Sequence, residues 1–276
     1  MHFAKYHGLG NDFVFVDASQ ETLADVSRAA RILCDRRCGV GADGLVLLRP
    51  QADGVHMRII NSDGTEAEMC GNASRCVPLF AREKGWMSGD SLTLQTLAGP
   101  IKTRVPDRAR GLVSVNMGRP RLLRGQIPVA GPAEEQAVNM TLFAAGQNWT
   151  GTAVSMGNPH FVIFVPDLAQ VNLPHTGPLL EVHPAFPKKT NVEFVQVLDR
   201  STLRMRVWER GAGITQACGT GACATAVAAQ LTGRSDAEVQ VILDGGALQI
   251  AWQPGQEVYM TGPAAKVFEG EFTADL

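Results

Sequence analysis

The sequence predicts an α/β (α+β) protein with two pseudo-symmetric domains, each a mostly antiparallel sheet or barrel wrapped around a central helix. Three observations support this fold class. The chain has 276 residues, 45% of them hydrophobic, which is enough to build two domains of ordinary size. Its second half repeats features of its first half. Each half also contains an apolar, alanine-rich run directly after a Cys-Gly pair.

The internal repeat has an offset of about 148 residues. The segment HMRIIN of the first half corresponds to RMRVWE of the second, and CGN corresponds to CGT. Because the matches occur in the same order, we interpret the chain as two homologous halves. The matching segments are 10–16 with 157–165, 56–61 with 204–209, and 70–72 with 218–220.

Each half shows strand-like runs, then the Cys-Gly turn, then a helix-like run. The run 219–230 is apolar nearly all round, which is typical of a buried helix, and Gly233 is a suitable stop. We predict domains at 1–116 plus 262–276, carrying Cys70, and at 117–261, carrying Cys218. A last strand at 265–272 would return to the first domain, and the composition of 119–135 is typical of a surface connection. The predicted strands are 13–16, 44–48, 56–60, 161–165, 192–197 and 203–208.

Composition excludes several classes of protein. The net charge is −2, without a basic stripe, so nucleic-acid binding is not expected. No signal peptide or apolar run of roughly 18 residues is evident, so we expect a cytoplasmic protein that binds no membrane. The six cysteines fall in pairs that lack C-x2-C spacing, and no metal site is predicted. We interpret the first pair, Cys34 and Cys38, as structural.

A cysteine at a helix start points to acid-base chemistry. The unpaired N–H groups and dipole of a helix N-terminus lower a thiol pKa and attract a carboxylate. Two such turns, Cys70-Gly71 and Cys218-Gly219, could place a thiolate and a thiol on opposite faces of one carbon. This would move a proton without a cofactor. The alternative is that a cysteine before an alanine-rich helix only packs, and packing is the role that we assign to Cys76 and Cys223.

The sequence resembles diaminopimelate epimerase over nearly its whole length. The resemblance implies two similar α/β halves, no cofactor, a small amino-acid substrate, a possible homodimer, and interconversion of L,L- and meso-diaminopimelate for lysine and peptidoglycan precursors. The segments that carry it are HGLGNDF (7–13), GVGADG (39–44), NSDGTEAEMCGNASRC (61–76), GNPH (157–160) and WERGAGITQACGTGAC (208–223).

The resemblance also assigns roles to residues. Cys218 would take the α-proton from the L,L isomer and Cys70 would return one to the other face. His160 and Glu209 would poise the two thiols. The substrate would be held by Asn11, Asn61, Gly71, Asn72, Asn158, Asn191, Glu209, Arg210, Gly219 and Thr220.

Departures from the family pattern affect the expected substrate range more than the thiol chemistry. They lie at Gly44, Ala73, Ser74, Pro78 and Ile214. Pro78 should bend or end the first central helix.

Several alternative interpretations stay open. Asn11 and Asn61 could be turn formers, Arg210 a solvated charge, and His160 a structural histidine. A racemase of the histidine or proline type is the nearest rival function. A thiol redox or metal-binding protein is a more distant one.

Overall fold

A computed structural model describes residues 1–274 and 276. The chain divides into two compact units. Unit 1 comprises Met1–Asn116 and Thr261–Leu276, and unit 2 comprises Met117–Met260. The predicted division into two homologous halves, at 1–116 plus 262–276 and at 117–261, stays a prediction. Among the described residues, no helix has the length and apolar character needed to cross a membrane.

Unit 1 is a sheet with a helix inside it. Its strands are β1 His2–Gly8, β2 Asn11–Asp17, β3 Gly44–Gln51, β4 Gly54–Asn61, β5 Glu66–Ala67, β6 Ser91–Thr96, β7 Gly99–Asp107, β8 Leu112–Asn116 and β18 Ala265–Glu271. The last strand, β18, pairs with β1. Just before β18, Ala264 donates its N–H to the Gly111 carbonyl oxygen at 3.0 Å, beside the β7–β8 turn. The predicted returning strand therefore forms.

The central helix of unit 1 is α2, Gly71–Glu83, and it packs against β1, β2, β6, β7, β8 and β18. Pro78 lies inside α2, which runs on to Glu83, so Pro78 does not end the helix. A second helix, α1 at Val26–Cys34, begins where the Asp25 side chain accepts the Arg28 N–H.

Unit 2 is built in the same way around the helix α4, Gly219–Leu231. All but a few of the residues of α4 are buried, because alanine and glycine on every face allow the surrounding strands to approach. The strands of unit 2 are β9 Met140–Ala144, β10 Gln147–Ser155, β11 Pro159–Phe164, β12 Asn191–Asp199, β13 Thr202–Glu209, β14 Gly213–Ile214, β15 Glu238–Leu243 and β16 Gly246–Ala251; β17 Tyr259–Pro263 crosses the unit boundary. Helix α3, Leu173–Glu181, packs on β13 and β14.

The pairings of the two units correspond strand for strand. In unit 1, β1–β2 is antiparallel, β2–β3 parallel, β3–β4 antiparallel and β4–β6 parallel. In unit 2, β10–β11, β11–β12, β12–β13 and β13–β15 repeat this order. Each parallel pair is joined through a helix, as is usual for parallel crossovers. The predicted fold class is confirmed.

Two smaller predictions are wrong. The segment 119–135 is more than a surface connection, since Ile127 and Val129 are buried in the core of unit 2. Cys38, which we expected to be structural, is exposed, whereas Cys34, Cys76 and Cys223 are buried.

Candidate active site

Cys70 is the N-cap residue of α2. Its backbone is extended (φ −140°, ψ 117°) and its side chain makes no capping hydrogen bond. The thiol is half-buried and donates to Asn11 Oδ1 at 3.9 Å. Because the first N–H groups of a helix have no intrahelical acceptor, the turn formed by Cys70, Gly71 and Asn72 can bind an anion.

Asn11 holds the Cys70 turn in place. Its Nδ2 donates to Asp43 Oδ2 at 2.6 Å, and its Oδ1 also accepts from Asn72 Nδ2 at 3.0 Å. A carboxylate can only accept hydrogen bonds, so Asp43 turns the Asn11 carbonyl oxygen toward Cys70. We call Cys70, Asn11, Asn72, Asp43 and Arg75 the Cys70 half-site.

Arg75 is a fully buried cation behind this turn. It donates to Asn72 Oδ1 at 2.9 Å and to the Pro263 carbonyl oxygen at 3.3 Å. A Cβ at Gly8 would lie 2.7 Å from Arg75 Nη2. Glycine at this position therefore lets β1 pass over the guanidinium group.

Cys218 is the N-cap residue of α4, with an extended backbone (φ −118°, ψ 103°). Its Sγ accepts the Gly221 N–H at 3.4 Å and lies 3.6 Å from Thr220 Oγ1. Unlike Cys70, it is buried, with 4% of its surface exposed.

A chain of polar side chains runs from Cys218 into the core of unit 2. Asn158 Nδ2 donates to Thr220 Oγ1 at 3.3 Å, and Asn158 Oδ1 lies 3.0 Å from His160 Nε2. His160 Nδ1 lies 2.6 Å from Glu193 Oε1, and both side chains are fully buried. Cys218, Thr220, Asn158, His160 and Glu193 form the Cys218 half-site.

The electrostatics of Cys218 differ from the sequence expectation. Burial, followed by the nearby Glu209 and Glu193 carboxylates, raises the Cys218 pKa well above its ordinary value. The Thr220 hydroxyl and the Gly221 N–H act in the opposite direction but do not outweigh burial. The helix start therefore lowers this thiol pKa in the predicted direction through the Gly221 N–H, but the net pKa is raised because desolvation is the larger effect.

The remaining predicted site residues lie near the ends of β4, β12 and β13. Asn61 is exposed and donates to Thr65 Oγ1 at 3.0 Å. Asn191 is buried, donates to the Pro159 carbonyl oxygen at 2.7 Å and accepts the Arg210 N–H at 2.9 Å. The Asn191 side chain thereby ties β12 to β11 and to the residue after β13.

Glu209 and Arg210 follow each other at the end of β13. Thr215 Oγ1 donates to Glu209 Oε1, and the exposed Arg210 guanidinium donates to the Lys188 carbonyl oxygen at 3.1 Å. Within unit 2, the Glu209 carboxylate raises the Cys218 pKa, and its role in poising a thiol stays a prediction.

Sequence reasoning missed Asp43, Arg75 and Glu193. A signal was present for Glu193, since a single acid interrupts the apolar strand VEFV. An acid in a buried strand needs a partner, and His160 is that partner. Arg75 had no comparable signal, because an arginine on a helix is normally solvated.

Known proteins resemble this chain in both of its units. The family model for diaminopimelate epimerase matches residues 3–123 and 152–267. The diaminopimelate epimerase of Moorella thermoacetica is 52% identical over 284 residues, covering 100% of each chain. That of Desulforudis audaxviator is 54% identical and covers 99% of each chain.

The chain belongs to the diaminopimelate epimerase family. Both cysteines and all five motifs that carry the predicted resemblance lie within the matched segments. Solved structures with much lower identity share the fold. A phenazine biosynthesis protein of Bacillus anthracis gives a TM-score of 0.72 at 19% identity, covering 99% of each chain. A hydroxyproline epimerase of Agrobacterium vitis gives 0.67 at 16%, covering 98% of this chain and 91% of the other.

Proposed function

We propose that this chain is a diaminopimelate epimerase that exchanges the α-proton of its substrate with two thiols and no cofactor. The observation that carries the proposal is the paired placement of Cys70 and Cys218 as N-cap residues of equivalent central helices. Identity of 50% or more to full-length relatives named diaminopimelate epimerase supports the substrate.

The chemistry follows from the helix starts. The Cys218 thiolate removes the α-proton of the L,L isomer, and the Cys70 thiol delivers a proton to the opposite face. The electron pair left on the α-carbon spreads into the carboxylate. Backbone N–H groups of the Gly71-Asn72 and Gly219-Thr220 turns stabilise this developing charge. In the reverse direction the two thiols exchange roles.

The amino-acid group at the far end of the substrate needs hydrogen-bond acceptors for its ammonium and donors for its carboxylate. Asparagine amides supply both, and Arg210 supplies a bidentate carboxylate partner. We assign this role to Asn11, Asn61, Asn158, Asn191 and Arg210. Glu209 is assigned to the substrate ammonium and to the tuning of Cys218.

Isotope exchange tests the proposal directly. In deuterium oxide, the purified chain should incorporate one deuteron at the α-carbon of L,L-diaminopimelate as it forms the meso isomer. Proline and histidine should exchange at background rates. Exchange with either of these but none with diaminopimelate would replace the proposal with a racemase of the corresponding type.

We extend the proposal to the setting of the enzyme. Six free cysteines fit a reducing compartment, which supports a cytoplasmic location. A homodimer is expected from the family resemblance. Sedimentation equilibrium gives the oligomeric state, and fractionation of cells expressing the natural gene gives the location.

A further inference from the structure

Glu193 is a buried acid that the fold itself does not require. It lies on β12 opposite the first turn of α4, where a Cβ at residue 221 would be 2.8 Å from Glu193 Oε1. In unit 1, the registers of β2–β3 and β11–β12 place Val46 at the equivalent position. There the helix residue that corresponds to Gly221 is Ala73, and both Val46 and Ala73 are buried. The same arrangement of strand and helix therefore packs in unit 1 with the apolar side chains of Val46 and Ala73.

His160 also has an apolar counterpart. By the same registers it corresponds to Phe13 of unit 1. A buried carboxyl beside a buried imidazole replaces a phenylalanine beside a valine. Since burying two ionisable groups costs free energy, and the fold does without them in unit 1, we look for their role in the chemistry of Cys218.

We propose that Glu193 is a positioning residue that acts through His160, Asn158 and Thr220 and sets the direction of the hydrogen bond between Thr220 and Cys218. Ionisation of the Cys218 thiol is thereby coupled to protonation of the Glu193–His160 pair. This inference rests on the proposed function only for its consequence for turnover. The coupling itself is a property of the free protein.

The direction follows from counting protons. When the pair holds two protons, one sits on His160 Nε2 and one lies between Nδ1 and Glu193 Oε1. His160 Nε2 then donates to Asn158 Oδ1, and Asn158 Nδ2 donates to Thr220 Oγ1. The Thr220 hydroxyl hydrogen remains available to Cys218, so it stabilises the thiolate.

Loss of one proton reverses the chain. His160 Nδ1–H then donates to a Glu193 carboxylate, and the bare Nε2 needs a donor, which the Asn158 amide supplies after turning over. Asn158 Oδ1 now accepts the Thr220 hydroxyl hydrogen. Thr220 Oγ1 can then only accept from Cys218, which favours the neutral thiol. One proton gained by the pair thus accompanies one proton lost by the thiol.

The charges of unit 2 agree with this coupling. Among the described residues of unit 2, the charges that act on Cys218 are those of Glu209 at the end of β13 and Glu193 on β12. His160 on β11 lies against Glu193, and α4 contributes the Gly221 N–H. Burial, the largest cause, raises the Glu193 pKa, which favours the protonated pair. Glu193 Oε2 has no hydrogen-bond partner among the described residues, a costly arrangement for an ionised carboxylate.

The test compares Glu193→Gln with Glu193→Val by NMR of protein labelled with 13C at the cysteine β-carbon. The signals are assigned with single Cys→Ser variants. The glutamine amide can donate to His160 Nδ1 at every pH and carries no charge. We expect Glu193→Gln to shift the Cys218 titration to lower pH and to leave the Cys70 titration unchanged. An unchanged Cys218 titration overturns the coupling.

Nitrogen-15 spectra of the histidine side chains test the direction. We expect the Nε2–H tautomer to predominate in the neutral His160 ring of Glu193→Gln, and a mixture of the two ring tautomers in Glu193→Val. The introduced valine packs as Val46 does in unit 1, so it preserves the fold while removing the partner of Nδ1. Identical His160 tautomers in the two variants overturn the positioning role.

Kinetics then separates the inference from the proposed function. We expect Glu193→Gln to move the acidic limb of the kcat/KM profile for the L,L isomer to lower pH, and Glu193→Val to lower kcat about tenfold or more. If the wild-type protein does not turn over diaminopimelate, the proposed function fails while the NMR result stands. If turnover is present but neither variant alters it, the consequence inferred for catalysis is overturned, while the NMR titrations decide the coupling itself.

Discussion

The two half-sites share one frame but give the same asparagine opposite orientations. Asn11 begins β2, and its counterpart Asn158 directly precedes β11. Asp43 takes the amide NH2 of Asn11, so its carbonyl oxygen accepts from the Cys70 thiol. In unit 2, His160 lies against the carbonyl oxygen of Asn158, and the NH2 group points toward Thr220 beside Cys218.

The difference shows how a duplicated fold can surround two thiols with different hydrogen-bond partners. The Asn11 carbonyl oxygen accepts from the Cys70 thiol. The Thr220 hydroxyl beside Cys218 instead acts to lower the pKa of that thiol, against the larger effect of burial. The proposed reaction from the L,L isomer needs this division, with one acid and one base. The helix start and the Cys-Gly pair are shared by both halves, so the distinction comes from residues behind them.

The largest expected effects come from the thiols themselves. Cys70→Ser and Cys218→Ser should each lower kcat by roughly 10²- to 10⁴-fold or more, because a hydroxyl is a much poorer acid and base at neutral pH. The matched controls are Cys76→Ala and Cys223→Ala, which change buried cysteines of the same two helices. Steady-state rates with folded variants measure both. Loss of turnover in a control but not in the thiol variants would mean that the wrong cysteines are assigned.

Placing side chains of unit 1 at the equivalent positions of unit 2 tests whether the two units pack in the same way around their central helices. A Cβ at Gly221 would lie 2.8 Å from Glu193 Oε1 and 3.1 Å from Cys218 Sγ. Gly221→Ala should therefore lower the free energy of unfolding by about 1–3 kcal/mol, measured by urea denaturation.

Adding Glu193→Val to Gly221→Ala recreates the Val46 and Ala73 pair of unit 1. The double variant should recover most of the lost stability, since the new methyl group then meets a smaller, apolar neighbour. It should not recover activity, because the support of His160 is gone. Stability that stays low in the double variant would argue that the two units do not pack equivalently at this turn.

The sequence predicts a structural feature when that feature depends on residues close together in the chain. The cysteine turns, the apolar run of α4, three strands of each half and the returning strand could be predicted, because short motifs and the repeat mark them. The Glu193–His160 contact could not, since it joins parallel strands whose register only the fold sets. The burial that raises the Cys218 pKa is likewise a tertiary property, which is why an argument from the helix dipole alone could not predict the net direction.

Asp12 offers a test of a charged network in unit 1. Its carboxylate pairs with Lys5 Nζ and Arg36 Nη2, each at 2.8 Å, and its counterpart in the repeat is Pro159. Burial opposes ionisation, but the two cations lower the Asp12 pKa from 3.8 to about 2. Asp12→Asn should cost on the order of 2 kcal/mol of unfolding free energy at neutral pH.

The pH dependence of that cost has a defined sign. A lowered pKa in the folded state stabilises the protein above the unfolded value of 3.8, and the contribution disappears as pH falls toward about 2. Urea denaturation of wild type and Asp12→Asn should therefore give curves that differ at neutral pH and converge as pH falls from 3.8 to about 2. A constant difference across this range would show that the loss comes from packing instead of charge.

The smallest expected effect comes from a variant that frees the orientation of the Asn11 amide and leaves the Cys70 thiol in place. In Asp43→Asn, the side chain at 43 can donate as well as accept, so the Asn11 amide is no longer fixed with its carbonyl oxygen toward Cys70. We expect kcat to fall about tenfold, with the Cys70 titration moving and the Cys218 titration unchanged. Asp63→Asn is a suitable control, since Asp63 is an exposed acid of the same unit that accepts from Thr65. A shift of the Cys218 titration in Asp43→Asn would contradict the view that each thiol is tuned by the residues of its own unit.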